Sequence, residues 1–210
     1  MTTLADIRAR VRQDLHDEDA AAYVWSDAVL DRHITHAVND YSVDAPLEQK
    51  STLTTTAGSR DISISSLTDL VAIERVEWPV GSYPKQFTGF SLWGTTLTLD
   101  CASAPAGVEN VYVYWTKKHS LGATSTLPTP HEDLVAVGAV AYAALDRETL
   151  TINKINLGGD VWGRYAALGK ERMETFRREL RRLGRNNTVR QRRLYSTDAP
   201  AVFEQGRVKY

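Results

Sequence analysis

The chain has 210 residues, 42% hydrophobic and 24% charged, enough for one sizeable core or a core with a smaller module. No apolar run approaches the roughly 20 residues that cross a bilayer, the opening MTTLADIRARVRQDL is not a signal peptide, and a lone cysteine, Cys101, excludes an intramolecular disulfide or a multi-cysteine metal site. The net charge of −1 hides an asymmetry: Lys170 to Tyr210 hold twelve Lys/Arg against five Asp/Glu, leaving thirteen against twenty-one elsewhere. A soluble, intracellularly made protein is expected, with an acidic body and a basic tail that meets something the body does not, or that attracts the body within or between subunits.

Two amphipathic helices come first. Leu4, Ile7, Val11 and Leu15 share one helical face, and Thr3 with Asp6 forms a capping-box pattern. After the loop HDEDAAAYVW, Ser26 is a good N-cap, Trp25 is placed to staple onto Leu30, and Leu30, Ile34, Ala37, Val38 and Tyr41 form a stripe that SVDAP ends.

From about Ser51 to Lys117 the period changes to two. STLTTTAGSRDISIS alternates around an Ala57-Gly58 turn, with Ile62 and Ile64 on one face. In NVYVYWT, Val111, Val113 and Trp115 face one way, and Tyr112 and Tyr114 the other. Five or six antiparallel strands are expected, in a small sandwich or barrel-like sheet. Its aromatics suit core packing; a sugar- or base-stacking platform would instead expose Trp93 and Trp115 together.

Helix then returns. TLPTPHEDLVAVGAVAYAALDRE has Thr129 as N-cap, Pro130 at the first helical position and Glu132 at the third, and its body from Leu134 to Leu145 is apolar nearly all round. A last long helix starts near Asp160, with Trp162, Tyr165, Gly169, Met173, Phe176, Leu180 and Leu183 stepping by three and four, and Gly184 as its stop. Arg172, Arg177, Arg178, Arg181 and Arg182 lie off that stripe, mixed with Glu171, Glu174 and Glu179. Beyond Gly184 the apolar residues are sparse among charges, so 185–210 is expected to be extended unless a partner holds it.

Chemistry is hard to find. His33 and His36 are an i, i+3 pair near Asp31, Asp40 and Asp44, but no third metal ligand is recognisable, and exposed polar positions explain them. HED at 131–133 suits a helix start, and NLGGDVWG lacks the phosphate-loop pattern, so it is a loop-to-helix joint. Cys101 has no histidine partner in a catalytic pattern, and Asn186-Asn187-Thr188 is a glycosylation sequon without a secretory signal. No enzyme, cofactor or metal site is expected. The arginines also permit nucleic-acid binding, although no zinc finger, RNA-recognition signature or helix-turn-helix turn accompanies them. Arginines with interspersed Leu, Tyr, Val and Phe suit a peptide docking on an acidic, partly apolar protein surface.

LADIRARVRQDL, WSDAVLDRHITHAVNDYS, LPTPHEDLVAVGAVAYAAL and YAALGKERMETFRRELRRLG, in that order before an Arg-rich tail, resemble the head–tail adaptor (head-completion, or neck) proteins of tailed bacteriophages. The resemblance covers roughly 1–45 and 119–195; the β segment departs from the minimal all-helical adaptors, and larger members carry such insertions. It implies a structural virion protein at the neck, forming a ring of about twelve subunits below the portal. Such a ring extends the DNA channel, without sequence-specific contact, and gives a stopper or other tail protein its platform. The resemblance assigns portal docking to Arg185, Arg190, Arg192, Arg193, Leu194, Tyr195, Val202, Phe203 and Tyr210. Contacts between subunits fall to the helical core, with Val137, Ala141, Arg177 and Arg181. The expected fold is α+β: an antiparallel helical bundle (1–50 and 119–184), an inserted antiparallel β module (51–118) and an extended tail (185–210). The readings in competition are a nucleic-acid-binding protein using the basic tail, and a binding or tail-associated β module.

Overall fold

The computed structural model describes residues 2–152 and 161–195, with side chains for 2–147 and 163–188. Helices α1 (Leu4–Leu15) and α2 (Asp27–Asp44) precede strands β1 (Leu47–Thr54), β2 (Asp61–Ser63), β3 (Leu70–Glu77), β4 (Phe87–Trp93), β5 (Thr96–Asp100) and β6 (Asn110–Lys117). A 3-10 turn, Thr129–His131, then leads into α3 (Glu132–Ile152) and α4 (Val161–Tyr195). The fold is α+β, with a helical unit built from the chain up to Ala45 and from His119–Arg185, and a second unit that holds the β strands, Pro46–Lys118, and takes in the chain from Asn186 onward.

The caps of the first two helices follow their sequence signals. Asp6 N–H donates to Thr3 Oγ1 at 3.3 Å, while Thr3 N–H and the Thr3 hydroxyl donate to Asp6 Oδ2, each at 2.8 Å, and these last two bonds hold the Asp6 carboxyl below its usual pKa. Ser26 accepts from Val29 N–H at the start of α2. Between the helices, Arg12 is buried and organises the loop. Its guanidinium meets Asp17 Oδ2 at 2.5 Å, Asp27 Oδ1 at 2.7 Å and the Trp25 carbonyl at 3.0 Å. Asp17 in turn accepts from the Val24 and Trp25 N–H groups, at 2.7 and 3.3 Å. Trp25 is thereby held in the core, where its Nε1–H donates to the Ala143 carbonyl and its ring meets Tyr165 edge-on at 5.6 Å.

The apolar α3 is covered by its own chain, with Val135, Ala139, Val140, Ala141, Ala143 and Ala144 fully buried. Glycines bring α4 close to it. A Cβ at Gly138 would sit 2.8 Å from Phe176 Cζ, and one at Gly169 would sit 2.8 Å from Leu145 Cγ. Seven residues back along α3 therefore match seven forward along α4, which fixes them as antiparallel. Nineteen residues separate Trp25 from Asp44 and Tyr165 from Gly184, the residues they meet, so α2 and α4 run parallel.

Two helix boundaries differ from expectation. Thr129 is no N-cap: it opens the 3-10 turn, whose own N-cap is Pro128. Gly184 does not stop the last helix, which continues to Tyr195, so 185–195 is helical and not extended. Gly184 is not among the glycines with positive φ; it serves close approach, since a Cβ there would lie 2.7 Å from Asp44 Oδ1. Helix-favouring Arg, Gln and Leu follow at 190–194, and no proline intervenes before Pro200. Residues 196–210 lie outside the described residues.

The β unit is one six-stranded antiparallel sheet curled into a half-barrel, in the order β1-β6-β3-β4-β5-β2. The curl turns at β4, whose Phe87 and Thr88 pair with β3 while Gly89 to Trp93 pair with β5. Ile62, Ile64, Leu97, Leu99, Val111, Val113 and Trp115 share its core, as their alternation predicts. β1 begins at Leu47, earlier than the expected Ser51, and it does not pair with β2 across the Ala57-Gly58 turn. The intervening segment bonds elsewhere instead: Thr55 N–H to the Glu109 carbonyl and Gly58 N–H to that of Pro105.

Three outcomes test this packing. Asp17→Ala should cost about 3 kcal/mol in urea unfolding, the low end for a broken buried ion pair because Arg12 keeps Asp27. Gly138→Ala should destabilise by about 1–2 kcal/mol, because overpacking against Phe176 exceeds the roughly 1 kcal/mol that alanine gains in helix propensity. His119 is buried between the Ala45 and Thr126 carbonyls, and burial lowers its pKa from the ordinary 6.5. Below 6.5 the unfolded chain takes up that proton first, so stability should fall as pH drops from 7 through 6.5 and below, and less steeply in His119→Gln.

Candidate interaction surfaces

Helix α4 spans 35 residues, about 52 Å at 1.5 Å per residue. Met173, Phe176 and Leu180 are buried along one side. Arg177, Arg178, Arg181, Arg182 and Arg185 are exposed on the other, and at about 100° per residue Arg177, Arg181 and Arg185 form a row. Position 192 falls on the same face by the helical period. Glu179 draws Arg182 to 2.9 Å and Arg178 to 3.9 Å. Among the described residues, no ion pair holds Arg177, Arg181 or Arg185. Exposed Glu171 and Glu174 dilute the charge toward the N-terminal half, which is a poorer match to a phosphate backbone than an unbroken basic face.

The predicted contact residues separate by burial. Arg177, Arg181 and Arg185 are on the surface, Val137 is half-buried against the core, and Ala141 has no exposed surface. Ala141 therefore offers nothing to a neighbouring subunit; α1, α2 and α4 leave the helix few extra faces to cover. Arg190, Arg192, Arg193, Leu194 and Tyr195 occupy helical backbone rather than an extended tail, and Val202, Phe203 and Tyr210 lie outside the described residues.

A second surface was not foreseen. The loop from His16 to Trp25 exposes Glu18, Asp19, Ala20, Ala21 and Ala22 beside Asp14 at the end of α1, with Tyr23 and Val24 44% and 42% exposed. The Arg12 guanidinium lies 3.5 Å from the Tyr23 ring centroid, so the ring is backed by a buried cation. The same guanidinium, with Arg8 beside it, holds the Asp27 carboxyl below its ordinary pKa. The arginine beneath this loop lies on the preceding helix and carries no local signal.

The His33–His36 pair lines an open groove of about 410 Å³ with Arg32, Tyr142, Leu145 and Asp146. His33 is buried rather than exposed, and its Nε2 is 3.4 Å from Asp146 Oδ2, which also binds Arg32 at 3.0 Å. Burial lowers the His33 pKa against the opposing pull of Asp146. His36 stays exposed and meets Tyr142 edge-on, while Tyr142 donates to Asp40. Burial and that bond push the Tyr142 phenol up to about 12. Of the carboxylates near the pair in sequence, Asp31 is bound by Arg8; the one that reaches His33, Asp146, comes from α3. No group of three or more metal-ligating side chains occurs among the described residues. At the start of α3, Glu132 and Asp133 take up Arg10 as well as serving the helix terminus, at 3.1 and 2.9 Å; the Glu132 contact lies outside hydrogen-bond geometry. The NLGGDVWG joint falls largely outside the described residues.

In the β unit, Trp93 is 88% exposed at the tip of the β4–β5 hairpin, whereas Trp115 is 6% exposed and donates from Nε1 to Ser51 Oγ. The two tryptophans therefore form no joint stacking platform. Cys101 is half-buried, its Sγ 3.9 Å from the Leu99 carbonyl. No helix among the described residues is long and apolar enough to cross a membrane.

The family model described as SU10 adaptor protein matches residues 2–200. No curated protein matches the chain.

Proposed function

The chain belongs to the SU10 adaptor protein family, a phage head–tail adaptor family, and from that premise we propose that it forms a ring beneath the portal of a tailed phage. Membership makes it a phage adaptor and a virion component of the head–tail junction. In the proposed arrangement about twelve copies extend the DNA channel without reading sequence and present a platform to a stopper or other tail protein. The C-terminal segment docks on the portal through Arg185, Arg190, Arg192, Arg193, Leu194, Tyr195, Val202, Phe203 and Tyr210.

The observation that carries this reading is α4. It continues past Arg185, the last residue of the helical unit, to Tyr195, and so carries arginines beyond that unit's core. A long helix presents them at low ordering cost, because backbone already fixed in a helix has little entropy left to lose on docking. Repetition around a ring turns weak individual contacts into a tight joint. The role is structural, with no residue set in a catalytic part.

Two truncations test the assignment. Deleting 185–210 should abolish co-sedimentation with portal particles while far-UV circular dichroism still reports a folded body. Deleting only 196–210 separates the helical arginines from the residues after them: retained docking places the contact on 185–195, and lost docking places it beyond. Normal docking by the longer deletion would remove the C-terminal segment from the joint.

A further inference from the structure

Two surfaces of the helical unit carry opposite chemistry. One is the row of exposed arginines, Arg177, Arg181 and Arg185, on α4. The other is the acidic, partly apolar loop with Asp14, Glu18, Asp19, Tyr23 and Val24. Within one copy they stand apart. Trp25 anchors the loop beside Tyr165, and the arginine row begins 12 residues further along the same helix and ends 20 residues along. That is about 18–30 Å at 1.5 Å per residue, well beyond the screening length of about 8 Å at physiological salt.

We propose that these surfaces meet between copies, the arginine row of one chain seating on the His16–Trp25 loop of the next. The inference rests on the ring reading above and names the contact that builds the ring. Two different patches joined head to tail make a heterologous interface, the kind that closes into a ring when its rotation allows. Charge complementarity selects the occupant, since the loop supplies carboxylates at Asp14, Glu18 and Asp19. Tyr23 and Val24 supply the apolar centre that a rim of ion pairs needs in order to exclude water. Arg12 already lies against the Tyr23 ring, and the ring's remaining exposed surface accepts a guanidinium from the neighbour. The Arg12–Asp17 pair holds the loop in place before contact, which lowers the ordering cost of association.

The test is sedimentation velocity of the full chain without portal, across protein concentration and from low to high salt. Wild type should self-associate, and less strongly as salt rises. Arg177→Glu with Arg181→Glu should weaken association about tenfold or more, and so should Glu18→Lys with Asp19→Lys. An equimolar mixture of these two variants should restore it, because copies then alternate with matched patches. Wild type that stays monomeric throughout, association that ignores both variants, or a mixture that fails to recover overturns the inference. The 185–210 deletion removes only Arg185 from the row, so its self-association is measured beside its portal docking: docking lost with association retained separates the two assignments.

Discussion

The helical unit depends on a charge that should not be comfortable where it is. Arg12 sits on the buried side of α1, and a guanidinium there is tolerable only with its donors filled. Asp17, Asp27 and the Trp25 carbonyl fill them, and Asp17 spends its remaining capacity on the backbone N–H groups of Val24 and Trp25. One buried ion pair thereby ties α1, the loop and the start of α2 into a single piece. The net energy of such a pair is small, but its geometry is not negotiable, because either partner left alone is a buried unpaired charge.

From that piece the bundle follows. Trp25, fixed by the loop, reaches α3 at Ala143 and α4 at Tyr165. Further along, α3 and α4 touch where Gly138 admits Phe176 and Gly169 admits Leu145, and α2 and α4 touch at Asp44 and Gly184. Small residues here set interhelical distance. The alanines of α3 serve the same end, and the helix whose sequence is apolar nearly all round is buried by its own chain. The exposed faces of this unit include the arginine row on α4 and the acidic loop with its Tyr23 and Val24. Both belong to elements whose backs are firmly packed, which suits a protein whose work is to hold others in place.

Much of the fold was legible because its signals are local. Thr3 and Asp6 within three residues make a capping box, Ser26 precedes an apolar period of 3.6, and the alternation of Val111, Val113 and Trp115 makes a strand with one buried face. The ordered helices with a basic C-terminal end also carried the family, which the match over 2–200 bears out. Signals failed where a residue has two uses. Glycine at 184 matches a helix stop and also a close contact with another helix, and only Asp44 on its far side decides between them. The Ala57-Gly58 turn suggested a hairpin, but β1 and β2 lie at opposite edges of the sheet, because strand pairing is decided by long-range registry that a turn does not encode.

The sequence by itself determined the α+β class, the helix and strand periods, the charge asymmetry and the adaptor resemblance, since each is written in residues close together in the chain or in bulk composition. Tertiary structure alone decided that His33 is buried beside Asp146, that Ala141 is sealed inside, and that Arg12 underlies the acidic loop. It also decided that the loop and the arginine row stand apart. The physical reason is common to all four: burial and charge pairing depend on what another helix brings to the same place, and chain order does not record that.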